Sequence, residues 1–358
     1  MNSNTTLFAR SFRMLLLPFA LLYGIIITVR NWLFNTKIIK SATFNFPLIC
    51  VGNLAVGGTG KSPMVEYLIE VLKNDYNVAT LSRGYKRKTK GYALADATTT
   101  ALEIGDEPMQ FHSKFPDISV AVGEERLVAI PQLLHDKPNT EVIVLDDAFQ
   151  HRYIKAGLNI LLSDCSNLFY RDWFLPSGDL RDQRKSYKRA QIIVITKCPQ
   201  NMTTTEKEKI KKGVSPAPHQ QLFFSCISYG KPYHILTRQT SSFSANTSVL
   251  LVCGIANPKP LKKYIADNSA AYDEIIYNDH HIFTIDDLKT IRQHFERLDG
   301  DNKLIITTEK DAVRLQKFDE QLRDLPLYIL PVKPKFLFGE EEKFDNLIRA
   351  YINEYKKA

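Results

Sequence analysis

Residues 47–63 read PLICVGNLAVGGTGKSP. Residues 47–53 are a short apolar run closed by a turn signal, the pattern of a buried strand. Residues 63–73 carry Val65, Leu68, Ile69 and Leu72 at helical spacing, so one face of a helix is apolar. The linking residues 55–62, AVGGTGKS, have the spacing of a phosphate-binding loop between a strand and a helix. Gly57, Gly58, Thr59 and Gly60 let backbone N–H groups curl around phosphate oxygens. Lys61 then reaches the β- and γ-phosphates, and Ser62 offers its hydroxyl to Mg²⁺. The helix N-terminus adds its positive end, and Pro63 fits a first turn whose N–H is unpaired anyway. One departure is Ala55, where the strict pattern has glycine.

Further strand candidates lie at 78–82, 118–122, 142–146, 158–164 and 191–196, with helical segments between several of them. Alternation of apolar strands and helices implies a parallel sheet covered on both faces. The polar, proline-containing stretch 200–220 reads as a boundary. New strands follow at 222–227, 248–253, 274–277, 304–308 and 327–330, with a helix over 285–298 and a terminal helix over 344–355. The fold class expected is α/β: a P-loop NTPase-type parallel sheet domain over 41–215, a smaller second α/β domain over 216–358, and an N-terminal membrane-associated helical segment over 1–40.

The last element rests on residues 14–29, MLLLPFALLYGIIITV, which carry no charge. Sixteen helical residues rise about 24 Å at ~1.5 Å each, short of a hydrocarbon core about 30 Å thick. Arg10, Arg13, Arg30, Lys37 and Lys40 flank the run, and Trp32 and Phe34 follow it. That layout suits a monotopic anchor with its charges at the headgroups. A transmembrane helix and a buried helix of a soluble protein are the competing readings. A signal peptide is disfavoured, because no small-x-small cleavage site is evident.

The net charge of +8 favours anionic partners. Five cysteines, odd in number and without CxxC spacing, read as free thiols in a reducing compartment rather than a disulfide frame or zinc site. Residues 142–147, VIVLDD, have the layout in which a carboxylate at a strand end reaches Mg²⁺, through Asp146 or Asp147. Gln150 and His151 follow on the next loop. In Gly105-Asp106-Glu107-Pro108, Asp106 or Glu107 is either a helix cap or a general base for an alcohol nucleophile. Arg83, Arg126 and the Arg181-Asp182 step follow strands, where guanidinium forks suit phosphate oxygens. The guanine-reading motif would fall at Thr196-Lys197-Cys198-Pro199, where its aspartate is missing, so ATP is expected over GTP. Val56 stands where dimerising, membrane-cycling ATPases carry a lysine before the paired glycines. No nucleic-acid-binding signature accompanies the basic residues.

The series VGNLAVGGTGKSP, LSRGY, GDEP, VAVGEERL, VLDDAFQH, LPSGDLRD, DHHIF and TTEKDAVRL occurs in the order found in tetraacyldisaccharide 4'-kinases. The chain resembles that family from residue 7 to near its C-terminus. The resemblance implies two α/β/α domains joined by a short β linker, with ATP and Mg²⁺ at the cleft. It implies transfer of the γ-phosphate to the 4'-hydroxyl of a tetraacylated disaccharide 1-phosphate, a lipid A precursor. It also implies a location on the cytoplasmic face of a Gram-negative inner membrane, contacted through residues 7–34. A monomer is expected, with no nucleic-acid partner. Carried across by motif, Lys61 and Ser62 hold phosphate and Mg²⁺, and Asp106 is the catalytic base. Its partner is His280, favoured over His281. Asp146, Asp147 and His151 form the metal and active-site set. Arg83, Glu107, Arg126, Gln150, Arg181 and Asp182 are substrate or accessory contacts. Two positions depart from the family: Ser62 replaces the usual threonine, and Asp182 replaces glutamate and shortens that arm. The alternative function is a P-loop ATPase acting as a membrane-associated conformational switch.

Overall fold

The computed structural model describes residues 13–356. The part of the N-terminal segment over residues 1–12, including Arg10, lies outside them. A nine-stranded sheet forms the larger unit. At its centre is Leu48–Asn53, flanked in parallel by Val142–Asp146 and Leu158–Asp164. Every residue of Leu48–Asn53 is buried, which is why that stretch reads as continuously apolar rather than alternating. Val78–Ser82 and Ser119–Val122 extend the sheet on one side, and Ile192–Thr196 on the other. The chain enters the helix Lys61–Leu72 from the carboxyl end of the central strand. In open α/β sheets ligands gather in this crevice outside the strands' carboxyl ends.

One face of the sheet is covered by Lys61–Leu72, Asp106–Lys114 and Glu341–Lys356, through Met64, Leu68, Phe111, Phe344, Ile348 and Ile352. The other is covered by Arg126–Asp136 and Thr204–Val214, through Ala129, Ile130, Leu133, Ile210 and Val214.

A five-stranded sheet forms the smaller unit, in the order Tyr233–His234, Leu327–Leu330, Lys303–Thr308, Ser248–Cys253, Ala271–Ile276. Here the expected division at 215/216 needs correction. Gln221–Tyr229 pairs in parallel with Ile192–Thr196 and so continues the first sheet. Val332–Phe336 returns antiparallel to Gln221–Tyr229, and Glu341–Lys356 packs on the first sheet's core. An apolar run announces a strand but carries no label for the sheet it joins. The antiparallel pair of chain crossings forms the link between the units.

The N-terminal helix runs over Leu17–Asn35, with Pro18 in its first turn, where it does not break the helix. Ala20, Gly24, Ile27, Asn31 and Phe34 face inward. Phe19, Leu22, Ile26, Val29 and Trp32 are exposed. Phe34, read from sequence as a flanking interfacial aromatic, packs edge-on against Tyr153 and under Arg152.

Candidate active site

The loop after Asn53 is held from several sides. Asn53 Nδ2 donates to Thr59 Oγ1 at 2.9 Å, and Thr196 Oγ1 donates to the Thr59 carbonyl at 2.8 Å. Lys197 donates to the Gly58 carbonyl and pairs with Asp164 at 2.8 Å. Gly57 and Gly60 have φ of 101° and 86°, a region that disfavours any residue with a Cβ. A Cβ built on Gly57 or Gly58 would meet nothing within 4 Å, so the loop encloses an open cradle. Ser62 is buried in the first helical turn.

Asp146 ends its strand buried, and its Oδ1 has no hydrogen-bond partner. Burial, with the Glu107 and Asp147 carboxylates nearby, pushes its carboxyl up to about 7. Asp147 follows in a left-handed conformation, φ 48°. Burial opposes its ionisation, but Lys61 at 3.8 Å and the Arg181 guanidinium outweigh that and hold its carboxyl below the usual range. Arg181 also reaches Asn53 Oδ1 at 2.6 Å. Gln150 donates to the Asn53 carbonyl. Arg126 is almost fully buried. Its NH1 donates to the Gly123 carbonyl at 2.7 Å, while Nε and NH2 find no partner. Burial lowers its pKa to about 10, and Asp146 opposes that shift. Arg83 is exposed past the end of Val78–Ser82 and adds positive potential at Arg126 and His151.

An orphaned buried carboxylate oxygen beside two further acids is a fit for a divalent cation. Among the described residues no group of three His, Cys, Asp or Glu would hold one unaided. That suits an ion bound by one or two carboxylates plus substrate phosphates.

The two units meet where the helix Asp106–Lys114 faces Glu309–Leu315. Asp106 Oδ2 lies 3.1 Å from His280 Nδ1 and accepts from Arg314 Nε at 2.9 Å. Arg314 NH1 reaches buried Asp311 at 3.2 Å, and Asp311 in turn accepts from the Gly254 N–H and Thr308 Oγ1. Glu107 pairs with Lys310 at 2.9 Å. His280 sits in a turn at φ 63°. All contacts to Asp106 fall on Oδ2, so among the described residues Oδ1 is free to face a hydroxyl.

Comparison with known proteins turns this arrangement into an assignment. Residues 12–353 match the Tetraacyldisaccharide-1-P 4'-kinase family. The chain is 44% identical to the tetraacyldisaccharide 4'-kinase of Bacteroides thetaiotaomicron over 354 residues, 95% of this chain and 93% of that one. It is 44% identical to the Flavobacterium johnsoniae kinase of that name, over 96% of this chain and 98% of the other. The chain belongs to this family. LpxK from Aquifex aeolicus, solved in complex with ATP, superposes with a TM-score of 0.73 at 29% identity, covering 95% of this chain and 99% of that one. The fold is therefore that of this family of kinases.

Within this family member, the expected site residue Asp182 and the alternative histidine His281 occupy structural positions. Asp182 is buried away from the cradle, accepting from Asn31 at 2.7 Å and pairing with Arg189 at 2.9 Å. His281 stacks on Tyr277 at 4.2 Å and pairs with Asp287 at 3.0 Å, facing away from Asp106. Three contributors were missed in the sequence. Arg314 and Lys310 sit in the quoted stretch TTEKDAVRL, four residues apart and so on one helix face. Lys197, which the sequence places only where a guanine motif would fall, ties down the P-loop.

His151 follows the acids on the next loop, its backbone N–H donating to the Ala148 carbonyl at 2.8 Å. Burial, with Arg126, Arg83 and Arg30 adding like charge, lowers its pKa from 6.5 to about 4. The folded protein thus keeps it neutral where the unfolded chain takes up a proton. Its contribution to stability is complete above about pH 6.5 and is lost as pH falls towards about 4. NMR titration of the His151 ring should give a midpoint well below that of a free histidine. An ordinary midpoint would remove the effect.

Proposed function

We propose that the chain transfers the γ-phosphate of ATP to the 4'-hydroxyl of a tetraacyldisaccharide 1-phosphate. The carrying observation is the Asp106–His280 contact at 3.1 Å, made by a helix residue of the P-loop unit and a turn residue of the smaller unit. A hydroxyl acceptor needs a base near its oxygen.

The N–H groups of residues 57–62 and Lys61 bind the phosphates. Ser62, Asp146 and Asp147 are the residues that would hold Mg²⁺, which when bound neutralises charge developing on the transferred group. Arg126 contributes its two unpaired nitrogens to anionic oxygen. Asp106 accepts the hydroxyl proton on Oδ1 while His280 and Arg314 fix its other oxygen. In-line attack at γ-phosphorus forms the new O–P bond as the bond to the β-phosphate oxygen breaks. Preorganised charge of this kind is worth about 10²–10³ per donor in kcat.

The helix Leu17–Asn35 is the membrane contact of this reading. It has a mean hydropathy of 1.5 over its most apolar window and is mostly exposed there. An inner face hydrogen-bonded to the protein and an apolar outer face suit a helix lying in the plane of the membrane surface. Replacing Leu22 and Ile26 with aspartate should release the protein from anionic vesicles. Sedimentation with vesicles at the wild-type level would sink the anchor. For the reaction, γ-labelled ATP offered with the lipid disaccharide monophosphate should label the lipid. Release of label only as inorganic phosphate would support the switch instead.

A further inference from the structure

We infer that the N-terminal helix is a structural member of the nucleotide site, and that Asn31, Thr28 and Tyr23 are positioning residues for the P-loop and Asp147. This rests on the phosphotransfer reading above.

The helix is apolar, yet its inward stripe is interrupted by Asn31, which is 2% exposed. A buried amide facing a buried carboxylate adds little net stability compared with an apolar pair. What such a pair supplies is a fixed position. Asn31 Nδ2 donates to Asp182 at 2.7 Å, while Arg152 donates to the Asn31 backbone carbonyl at 3.0 Å and its Oδ1 at 3.2 Å. Tyr23 OH donates to the Arg181 carbonyl at 3.1 Å, and Gln183 donates to Thr28 Oγ1. Arg30 donates to the Gln150 carbonyl at 2.8 Å. At Gly24 an added Cβ would stand 2.8 Å from Phe174, so the helix is seated too closely for a side chain.

Each segment gripped by the helix also grips the cradle. The Arg181 N–H donates to the Leu54 carbonyl at 2.8 Å, and the Val56 N–H donates to the Asp179 carbonyl at 2.7 Å. Residues 179–181 are thus bonded along the chain entering the P-loop. The Arg181 guanidinium holds Asp147 and Asn53, and Gln150 holds the Asn53 carbonyl. Asn53 in turn holds Thr59. From Asn31 the path runs through Asp182 to Arg181 and on to Asp147. This also accounts for Asp182: it acts on the helix side of the loop whose arginine acts on the acid side.

The test uses the full chain in detergent micelles, with nucleotide affinity read separately from a non-hydrolysable ATP analogue and Mg²⁺ without acceptor. Asn31→Leu and Thr28→Val should weaken analogue binding and lower kcat about tenfold or more, since small misplacements at a reacting centre are costly. KM for the lipid should not change, and binding to vesicles should persist because the outer face is intact. Thr28→Ser keeps the hydroxyl and should restore wild-type values. Tyr23→Phe removes one hydroxyl only and should shift analogue binding in the same direction; it decides the matter if Asn31→Leu does not fold. Analogue affinity and kcat indistinguishable from wild type in the folded variants would overturn the inference. So would a Thr28→Ser protein as impaired as Thr28→Val. Because analogue binding involves no acceptor, this outcome is independent of whether the lipid substrate is correct.

Discussion

Asp106→Asn should lower kcat by about 10²–10⁴-fold while leaving ATP binding near the wild-type level. Asparagine has the same shape and can still accept from Arg314 and His280 through its amide oxygen, so the seam between the units stays closed. What it lacks is a basic oxygen for the hydroxyl proton. Glu107 does not substitute, because Lys310 holds it at 2.9 Å. Steady-state turnover with saturating lipid, paired with nucleotide affinity, separates the two effects. Wild-type turnover in this variant would remove Asp106 as the base. A parallel loss of nucleotide affinity would point to a general structural role.

Arg314→Met should be nearly as severe, for a different reason. Arg314 is the cation between Asp106 on one unit and buried Asp311 on the other. Burial already pushes the Asp311 carboxyl up, with Thr308 and Gly254 working against that. Removing one partner of a buried ion pair costs about 3–5 kcal/mol, because the remaining charge is left unpaired. Arg314→Met should therefore melt at lower temperature and lose turnover together. Arg314→Lys keeps the charge but loses the planar fork. It should recover much of the stability while turnover stays low, since an ammonium lacks the rigid planar fork that orients the Asp106 carboxylate. Recovery of both in Arg314→Lys would mean that charge alone suffices and that Arg314 does not orient Asp106.

The P-loop and the central sheet were legible because the chemistry there is local. A strand, a glycine-rich turn and Lys61-Ser62 follow one another within seventeen residues, so their order in the chain is their order in space. The seam was harder to read. Asp106, His280 and Arg314 are far apart in sequence and meet only because the chain crosses out of the nine-stranded sheet and returns to it. Residues 279–281, Asp-His-His, carry no mark distinguishing the histidine that faces Asp106 from the one that stacks on Tyr277; the turn at φ 63° decides that. Asp182 misled because it adjoins Arg181. At the bend of residues 181–182 the two side chains diverge, so Arg181 reaches the acid cluster and Asp182 the N-terminal helix. The domain boundary was misplaced for a related reason: strand 221–229 has an ordinary apolar pattern, strand 332–336 reads Val-Lys-Pro-Lys-Phe, and their pairing is a property of the whole chain.

A lipid kinase and a nucleotide switch differ in where the phosphate goes. Incubating the full-length protein with Mg²⁺, ATP and a tetraacyldisaccharide 1-phosphate in micelles, then recording phosphorus–proton correlation spectra of the extracted lipid, tests it most directly. A second phosphomonoester coupled to the proton at the 4' position should form in step with ADP. ADP formed with free phosphate and an unchanged lipid, or a phosphate coupled to any other ring proton, would contradict it.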